Sequence, residues 1–286
     1  MIVITGANGL LGRMVVERLL ERVPAGELGV SVRDPQQSGA LEARGVRVRQ
    51  GDFTDPASLA TAFEGADQVL IVSSNSSGSA AVAQHRAAID AAAAAGAGRI
   101  VYTSHMGANP NSPFPPMPDH AATEAALLDS GVPFTVLRNG FYAQSAVMLL
   151  GDAVETGELV APEDGPVSWT AHADLADAAA TLLTTPAPAA VTSPLTGPEA
   201  LTMAEVADRA AELSGRPIRR IIVSDNDYRD ALIGHGVPES AADLLVGLFQ
   251  ASRNGEFAPV SPTLADLLGR PTTTMAEYLK SALTQH

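Results

Sequence analysis

Short apolar runs alternate with helical patterns through the first half of the chain. Runs rich in β-branched residues predict strands at Ile2–Thr5, Leu28–Val32, Val46–Gln50, Gln68–Val72, Arg99–Thr103 and Phe134–Leu137. Apolar residues spaced three and four apart predict helices near Leu10–Arg22, Gln36–Ala43, Pro56–Phe63, Ala80–Ala95 and His120–Ser130. This alternation is typical of βαβ units, so we predict an α/β fold with a Rossmann-like, doubly wound parallel sheet.

The alternation fades after about residue 150, beyond which the pattern becomes mostly helical. The predicted elements there are a strand at Val167–Thr170, a helix from Asp174, a connector over Thr185–Ala190, a strand at Arg219–Val223 and helices from Thr202 to the end. We therefore expect two domains. Residues 1–150 form the parallel sheet, and residues 151–286 form a smaller, mostly helical lobe from which some segments return to the first domain.

Three glycines follow the first predicted strand and open the first predicted helix. Gly6 allows a tight turn, Gly9 lets backbone N–H groups approach a phosphate, and Gly12 lets the helix pack closely on the strand. The spacing Gly-x-x-Gly-x-x-Gly is one residue wider than the common Rossmann fingerprint, and it also suits an ordinary tight turn. Because the glycines join a strand to a helix, we interpret them as a dinucleotide pyrophosphate site.

Composition and charge narrow the class of protein. The chain has 286 residues, 46% of them hydrophobic and 17% charged, which is typical of a globular protein with a sizeable core. Its formal net charge of −14 argues against nucleic acid as a partner, since binding phosphates requires a basic face. The sequence contains no cysteine, signal-peptide pattern or apolar stretch of membrane-spanning length. We therefore expect a cytoplasmic protein with no membrane span.

Ligands of open α/β sheets lie beyond the carboxyl ends of the strands, so the residues that follow each strand are candidates. Arg33 ends the second strand, where an arginine suits the 2′-phosphate of NADPH. Asp34 comes next and could bind the ribose of NADH instead. We expect NADPH as the cofactor, and NADH stays open.

Two further strand ends carry candidate cofactor contacts. Phe53, after the third strand, offers a ring face to an adenine, or it packs in the core. Ser73, Ser74 and Asn75 follow the fourth strand, where the nicotinamide ribose is expected, although a plain serine-rich loop would look the same.

Aromatic and polar residues converge after the last two strands of the predicted sheet. Tyr102–His105 ends one strand and Arg138–Tyr142 follows the other, a combination that indicates a pocket for a planar apolar substrate. Phe141 and Tyr142 would line this pocket, or else pack as ordinary core residues. His120 follows the proline-rich loop Asn109–Pro118, which is either a lid or a surface excursion. A histidine at a helix start is often structural, yet His120 is within reach of a substrate. His120 and Tyr142 are the candidate catalytic residues.

The histidines show no spacing typical of metal ligands, so we expect no metal site. They are His85, His105, His120, His172, His235 and His286. The sequence also shows no flavin motif.

The chain resembles the NmrA-like, atypical branch of the short-chain dehydrogenase superfamily, and within it the bacterial NADPH-dependent quinone oxidoreductases of the QorB type. The similarity extends almost from end to end, and triphenylmethane dye reductases look similar over the same segments. It is carried by Thr5–Gly12, Val32–Pro35, Gln84–Arg86, Tyr102–Ser104, Leu137–Gly140 and Gly269–Thr274.

The resemblance implies that NADPH binds through the glycine turn, the second strand end, the loop after the fourth strand and the segment after the sixth. Together with the strand-end residues above, the candidate cofactor residues are Gly6, Ala7, Asn8, Gly9, Leu10, Leu11, Arg33, Phe53, Ser73, Ser74, Asn75, Ser104, Arg138, Asn139, Gly140, Phe141, Tyr142 and His172. The sequence departs from its relatives at His172, where they place an arginine near the cofactor. It also departs at Trp169, in a segment that they fill with small residues.

One absence limits the chemistry. The only lysine is Lys280, and no tyrosine is followed four residues later by lysine, so the Tyr-x-x-x-Lys acid of ordinary short-chain dehydrogenases is missing. Quinone reduction needs no such acid, because hydride addition gives a hydroquinone anion that is stable near neutrality compared with an alkoxide. We therefore expect an NADPH-dependent quinone oxidoreductase with direct hydride transfer to a small quinone. The alternatives are a triphenylmethane-dye-type reductase and a non-catalytic NADP-sensing regulator. A homodimer stays open.

Overall fold

The computed structural model of the chain describes residues 1–186 and 190–284. Its strands are β1 (Ile2–Thr5), β2 (Leu28–Val32), β3 (Arg47–Gln50), β4 (Gln68–Ile71), β5 (Arg99–His105), β6 (Phe134–Asn139), β7 (Phe141–Tyr142), β8 (Glu158–Pro162), β9 (Trp169–Thr170), β10 (Ala190–Val191) and β11 (Arg219–Val223). Its α-helices are α1 (Leu10–Leu20), α2 (Gly39–Ala43), α3 (Pro56–Phe63), α4 (Gly78–Ala94), α5 (Pro116–Asp129), α6 (Ala143–Leu150), α7 (Ala153–Thr156), α8 (His172–Thr184), α9 (Met203–Ser214), α10 (Asp225–Gly234), α11 (Glu239–Arg253), α12 (Thr263–Leu268) and α13 (Met275–Leu283). Short 3₁₀-helices occupy Ala25–Glu27 and Pro35–Ser38.

Among the described residues, seven strands form a parallel sheet in the order β10-β6-β5-β4-β1-β2-β3. The strand order reverses between β1 and β4, which is where a doubly wound sheet opens a crevice for ligands. At this point the Val72 backbone N–H donates to the Thr5 hydroxyl at 2.9 Å, so the ends of β1 and β4 are held together. The predicted Rossmann-like fold is confirmed.

Helices cover both faces of the sheet. Helices α1, α8 and α12 enclose one apolar core, and α3, α4 and α5 enclose the other. The alanine-rich stretch of α4 lies against the sheet, with Ala88 and Ala92 fully buried. Alanine lets this helix approach the strands closely, as its composition predicts.

The lobe has its own core and is mostly helical, as predicted, but it contains one strand pair that the pattern did not predict. Strand β11 has the predicted bounds Arg219–Val223, but it pairs in parallel with β8, which the pattern did not predict. Pro162 and the short alternation of β8 gave no clear strand signal, and the pairing with β11 decides its conformation. Strands β7 and β9 form a second pair, joining Phe141 to Trp169.

Several predicted boundaries are corrected by the structure. Strands β5 and β6 continue two residues further than predicted, since their parallel pairing runs on to His105 and Asn139. Helix α5 begins at Pro116 rather than His120, because proline fits the first turn of a helix. Helix α8 begins at His172 rather than Asp174.

The segment after residue 171 returns to the sheet. Helix α8 packs on α1, and β10 adds the seventh strand beside β6. The predicted connector Thr185–Ala190 lies partly outside the described residues. His286 lies outside them as well. Across the described ranges, no helix is both long and apolar enough to cross a membrane.

Candidate functional site

The turn after β1 has a backbone conformation that depends on glycine. Gly6 has a φ of +62°, which lies in the left-handed region. A Cβ on Gly12 would lie 2.3 Å from the Gly6 carbonyl oxygen, so any side chain there would push α1 away from the turn. The Gly9 N–H donates to the same oxygen at 2.9 Å. The three glycines therefore let α1 begin directly against the end of β1.

The N-terminus of α1 presents backbone donors to solvent. Gly9 is its N-cap, no side chain of the described residues caps it, and the first turn contains no acidic residue. Exposed positions alternate with buried ones along the turn: Gly6, Asn8, Gly9 and Leu10 are exposed, whereas Ala7 and Leu11 are buried. The Ser38 hydroxyl donates to Asn8 Oδ1 at 2.9 Å and holds the turn in place. Free N–H groups at a positive helix end form a ready site for a pyrophosphate.

Arg33 and Asp34 have different environments. The Asp34 carboxylate caps the 3₁₀-helix that follows, accepting from the Gln36 N–H at 3.1 Å and the Gln37 side-chain amide at 2.9 Å. Arg33 is exposed, and it takes part in none of the ion pairs formed within residues 1–186 and 190–284. Asp34 thus has a structural role in capping the turn, whereas Arg33 has no ion-pair partner among the described residues.

Backbone hydrogen bonds hold the loop after β4. The Ser73 N–H donates to Thr103 Oγ1 and the Ser74 N–H donates to His85 Nε2, both at 2.9 Å. The Ser74 hydroxyl is buried with no partner in the described chain, while Asn75 is exposed. This loop thus presents the Asn75 amide at the crevice between β1 and β4, while the Ser74 hydroxyl is closed off from solvent.

Phe53 is half-buried at the same edge of the sheet. Its ring lies edge-on to His85, with centroids 6.4 Å apart and an interplanar angle of 79°. The ring packs against the core of α3 and α4, and the rest of it stays accessible. Both interpretations from the sequence, adenine contact and core packing, fit this position.

Arg138 and Ser104 converge on a carboxylate that the sequence did not single out. The Nε and Nη2 atoms of Arg138 donate to Glu124 at 3.1 and 2.6 Å, and the Ser104 hydroxyl donates to Glu124 Oε1 at 2.6 Å. Glu124 is 7% exposed, and its hydrogen bond raises the pKa of Arg138. Both predicted cofactor residues therefore lie at the expected edge of the sheet, but each already has a protein partner.

Asn139 and Gly140 mark the end of β6. Asn139 is buried, and within the described structure its Oδ1 has no hydrogen-bond partner. A Cβ on Gly140 would lie 2.2 Å from Thr170 Oγ1, so glycine is required here by the approach of β9. Of these two residues, Asn139 is the one with a polar side-chain atom that has no hydrogen-bond partner in the described structure.

Tyr142 and His172 pack against each other. Their ring centroids are 4.0 Å apart with an interplanar angle of 33°. Burial raises the pKa of Tyr142 and lowers the pKa of His172 to about 4. Both rings are therefore neutral near pH 7. The buried Nδ1 of His172 finds no partner among the residues described.

An aromatic cluster, formed by Phe114, Phe141, Trp169 and Phe257, joins the sheet edge to the lobe. Phe141 lies at its centre, with ring centroids 5.1 Å from Phe257, 5.5 Å from Trp169 and 5.7 Å from Phe114. Aromatic pairs at these spacings stabilise one another beyond their buried area. The departure at Trp169 is thus accommodated by packing, and Phe141 belongs to the cluster rather than to an open pocket wall.

His105 is the polar neighbour of the aromatic cluster. Its ring lies 5.1 Å from Phe141 and 5.4 Å from Phe257. The Gly107 N–H donates to its Nδ1 at 3.0 Å, so the neutral ring carries its proton on Nε2. Burial lowers the pKa of His105 to about 3, and Nε2 is buried without a partner in the described chain. His105 therefore holds an unused N–H donor beside apolar rings.

His120 is half-buried in the second turn of α5. Its ring centroid lies 6.3 Å from that of His105, and its Nδ1 lies 2.8 Å from the Tyr102 hydroxyl oxygen. Burial lowers the pKa of His120 to about 3 and raises the pKa of Tyr102. Near pH 7 both groups are neutral, so they exchange hydrogen bonds rather than charge.

Buried polar atoms without partners are rare in proteins and mark places where a ligand or water completes the bonding. Seven such side-chain atoms occur in the described chain, and three of them belong to predicted cofactor residues: Ser74 Oγ, Asn139 Oδ1 and His172 Nδ1. Ser74 lies in the loop after β4, Asn139 ends β6, and His172 begins α8. Together with the free helix end of α1, these atoms fit a dinucleotide. No group of three or more His, Asp or Glu residues in the described ranges could hold a metal ion.

The structure adds residues that sequence patterns did not identify. Phe257 lies in the lobe far along the chain, and no local signal connects it with the sheet edge. Thr123 and Glu124 lie on the inner face of α5, where buried polar residues in a helical pattern are the hint. His85 lies on the inner face of α4, within the Gln84–Arg86 segment that carries the family resemblance, but the sequence assigned it no role.

A doubly wound parallel sheet, a glycine turn and a free helix end at the strand-order switch define a dinucleotide-binding protein. A family model described as NAD(P)H-binding matches residues 6–186, and the chain belongs to this family. This agrees with the family that the motifs indicate.

Two characterised relatives match nearly the whole chain. Quinone oxidoreductase 2 of Escherichia coli is 38% identical over 278 residues, covering 97% of this chain and 96% of its own. The NAD(P)H azoreductase of Xenophilus azovorans is 34% identical over 283 residues, covering 98% and 97%.

Solved structures of similar proteins have the same fold throughout. The Escherichia coli NADPH-dependent quinone oxidoreductase QOR2, complexed with NADPH, superposes with a TM-score of 0.93 at 36% identity, covering 99% of this chain and 100% of that one. The Citrobacter sp. triphenylmethane reductase, complexed with NADP(H), superposes with a TM-score of 0.92 at 33% identity and the same coverage.

Proposed function

We propose that this chain is an NADPH-dependent quinone oxidoreductase that transfers a hydride directly to a small quinone. The observation that carries the proposal is the pair of neutral imidazoles, His105 and His120, set beside an aromatic cluster at the carboxyl edge of the sheet. Apolar rings accept a planar molecule, and N–H donors bind its carbonyl oxygens. The full-length similarity to quinone oxidoreductase 2 supports the same substrate class.

The environment of Arg33 supports NADPH over NADH. Asp34, the residue that could bind the ribose hydroxyls of NADH, is occupied in capping the turn. Arg33 is free to bind the 2′-phosphate with charge-assisted hydrogen bonds. The pyrophosphate would lie at the N-terminus of α1, and Ser74, Asn139 and His172 would meet polar atoms of the nicotinamide half.

The site suits an acceptor that needs little acid assistance. NADPH, when bound, supplies the hydride from C4 of its nicotinamide. The protein holds the two planar molecules in contact, and this proximity and orientation lower the barrier to hydride transfer. Tyr102 and Tyr142, with raised pKa values, and His120, with a pKa of about 3, are all poor proton donors to a product near pH 7. Solvent therefore supplies the proton to the reduced product.

His120 and Tyr142 contribute differently in this mechanism. A neutral His120 donates a hydrogen bond to the quinone oxygen and stabilises the negative charge that develops there. Tyr142 is stacked on His172, so it orients the nicotinamide side of the site. The only lysine, Lys280, lies on α13 in the lobe, and no Tyr-x-x-x-Lys acid can form.

Reduction of a triphenylmethane dye is the second candidate, since the Citrobacter triphenylmethane reductase shares 33% of its sequence and the whole fold. Hydrogen-bond chemistry favours the quinone. A cationic dye has no carbonyl oxygen to accept from the His120 N–H, whereas a quinone has two.

Turnover assays separate these functions. Purified protein is mixed with NADPH and, in separate reactions, benzoquinone, naphthoquinone and a triphenylmethane dye, and loss of the reduced-nicotinamide absorbance is followed. We expect oxidation with the quinones and slower oxidation with the dye. Tight NADPH binding without oxidation by any acceptor would contradict an enzymatic role and favour an NADP-sensing protein.

A further inference from the structure

A buried hydrogen-bond chain connects the loop after β4 with His120 on α5. It begins at the Ser74 N–H, which donates to His85 Nε2 at 2.9 Å. His85 Nδ1 lies 2.9 Å from Thr123 Oγ1 and 3.5 Å from the Tyr102 hydroxyl oxygen. Tyr102 in turn lies 2.8 Å from His120 Nδ1. The proposed function does not use Tyr102, His85 or Thr123, although Tyr102 and Thr123 are fully buried.

The position of the proton on His85 follows from its backbone partner. An N–H group can only donate, so His85 Nε2 must accept and cannot carry a proton. Burial lowers the pKa of His85 to about 4, so the ring is neutral near pH 7 and its single proton lies on Nδ1. That N–H donates to Thr123 Oγ1, whose own hydroxyl donates to the Asp119 carbonyl at 2.8 Å.

The direction of the Tyr102 hydrogen bond follows next. His85 Nδ1 already carries a proton, so it cannot accept from the Tyr102 hydroxyl. Two acceptors lie within reach of this hydroxyl. Thr123 Oγ1 also hydrogen-bonds Tyr102, but it already accepts from His85 Nδ1. His120 Nδ1, at 2.8 Å, has a lone pair that no other group uses. If His120 carried its proton on Nδ1, Tyr102 would have to share the Thr123 oxygen with His85, so the donors are best satisfied when Tyr102 donates to His120.

We propose that Tyr102 is a positioning residue that fixes His120 as the Nε2–H tautomer. The free N–H of His120 then donates a hydrogen bond to an oxygen of the quinone. Nε2 of His120 meets no hydrogen-bond partner within the described ranges, and it is not among the unpartnered side-chain atoms closed off from solvent. It is therefore open to a ligand. The final step, donation of this hydrogen bond to the quinone, rests on the proposed function. The assignment of the tautomer does not depend on that function.

His105 has the same tautomer as His120, but a different donor fixes it. A backbone N–H, that of Gly107, donates to its Nδ1 and places the proton on Nε2. The two neighbouring imidazoles thus both carry Nε2–H, one fixed by the backbone and the other by Tyr102. His120 Nε2 is the donor that a ligand reaches, because His105 Nε2 is closed off from solvent.

Nitrogen-15 NMR of histidine-labelled protein tests the tautomer directly. Ring nitrogens with and without a proton have widely separated resonances, and comparison with the His120→Gln variant identifies the His120 signals. We expect an unprotonated Nδ1 and a protonated Nε2 in the wild type at pH 7. In Tyr102→Phe, which keeps the shape of the ring, both resonances of His120 should move toward the average of two tautomers.

The kinetic arm uses Tyr102→Phe and a matched control, Tyr228→Phe, in which the altered ring packs in the lobe against Phe249. With a quinone, kcat of Tyr102→Phe should fall about three- to tenfold, as expected for losing one hydrogen bond, while the NADPH KM stays within about twofold. The control should keep the wild-type values. The His85 resonances should be unchanged in both variants, which shows that the fold is intact.

The outcomes distinguish this inference from the proposed function. A wild-type His120 with its proton on Nδ1, or His120 resonances that do not move in Tyr102→Phe, would overturn the role of Tyr102 even if quinones are reduced. The expected resonances in a protein that reduces no quinone would support the tautomer and refute the function.

Discussion

Arg138 and Glu124 form a two-point ion pair at the carboxyl edge of the sheet, with Nη2 2.6 Å from Oε2 and Nε 3.1 Å from Oε1. The pair joins β6 to α5, and the Ser104 hydroxyl on β5 completes the bonding of the carboxylate. The side chain of Glu124 is 9% exposed and that of Arg138 is 32% exposed. The pair therefore holds together three elements that carry the candidate site.

Removal of Arg138 should destabilise the protein even without cofactor. Arg138→Ala leaves the buried Glu124 carboxylate without its cation, and we expect a loss of roughly 2–3 kcal/mol in the free energy of unfolding. Arg44→Ala is the control: it breaks the Arg44–Glu17 pair, which is about half exposed, and should cost under about 1 kcal/mol. Urea denaturation of both variants decides the matter, and equal losses would contradict a structural role for Arg138.

Arg33 should discriminate between the two nicotinamide cofactors. Arg33→Ala loses the charge-assisted contacts with the 2′-phosphate, so the NADPH Kd should rise about ten- to a hundredfold. The NADH Kd should change less than about twofold. Arg216→Ala, which removes an exposed arginine in the lobe, provides the control. An equal loss for NADPH and NADH, measured by fluorescence titration, would show that Arg33 does not bind the phosphate.

His120 should affect the reaction more than cofactor binding. In His120→Ala the donor to the developing oxyanion is lost, and we expect kcat with a quinone to fall roughly ten- to a hundredfold. The Kd of NADPH should stay near the wild-type value. His235→Ala removes the exposed histidine that follows α10 and serves as the matched control in steady-state assays. An unchanged kcat in His120→Ala would remove this residue from the mechanism.

Gly12 should tolerate no side chain. The Cβ of Gly12→Ala would lie 2.3 Å from a backbone oxygen of the turn, so α1 must shift, at a cost of roughly 1–3 kcal/mol in unfolding free energy. NADPH binding should weaken with it, since the helix end is displaced. Gly39→Ala on α2 is the control, because its Cβ would meet nothing within 4 Å and its φ is −57°. Thermal unfolding that gives the same midpoint for both variants would argue against close contact at Gly12.

Buried neutral histidines should make the protein sensitive to mild acid. Burial lowers the pKa of His85 to about 4 and that of His120 to about 3, below the value of about 6.5 expected in the unfolded chain. The unfolded state therefore binds more protons below pH 6.5, so stability is full above that pH and falls as the pH drops toward 4. Each such histidine contributes about 1.4 kcal/mol per pH unit well inside this window.

Urea denaturation between about pH 7 and pH 5 measures this slope. His85→Gln should reduce the slope, whereas the exposed His235→Gln should leave it unchanged. A slope in His85→Gln as steep as in the wild type would exclude a contribution from His85. Carboxylates contribute little here, because they titrate at lower pH in the unfolded chain.

Local patterns were sufficient for the existence of the first six strands of the sheet and for their first crossovers, but not for β10. Strands β1 and β2 and helix α3 have the predicted bounds, because β-branched runs and the Asp55-Pro56 helix start act within a few residues. The ends of β5 and β6 were predicted too short, since their extension depends on pairing with each other. Strand β8 was missed, because its partner β11 lies about sixty residues away.

The sequence by itself determined the α/β class, the glycine turn at the carboxyl end of β1, and the chemistry excluded by a single distant lysine. These properties depend on backbone preferences and on which side chains exist at all. Only the tertiary structure decided which polar groups are free. It joined Arg138 to Glu124, left Arg33 unpaired among the described residues, brought Phe257 to His105, and set Tyr102 between His85 and His120. Burial and hydrogen-bond partners come from contacts between distant segments, and sequence patterns do not record those contacts.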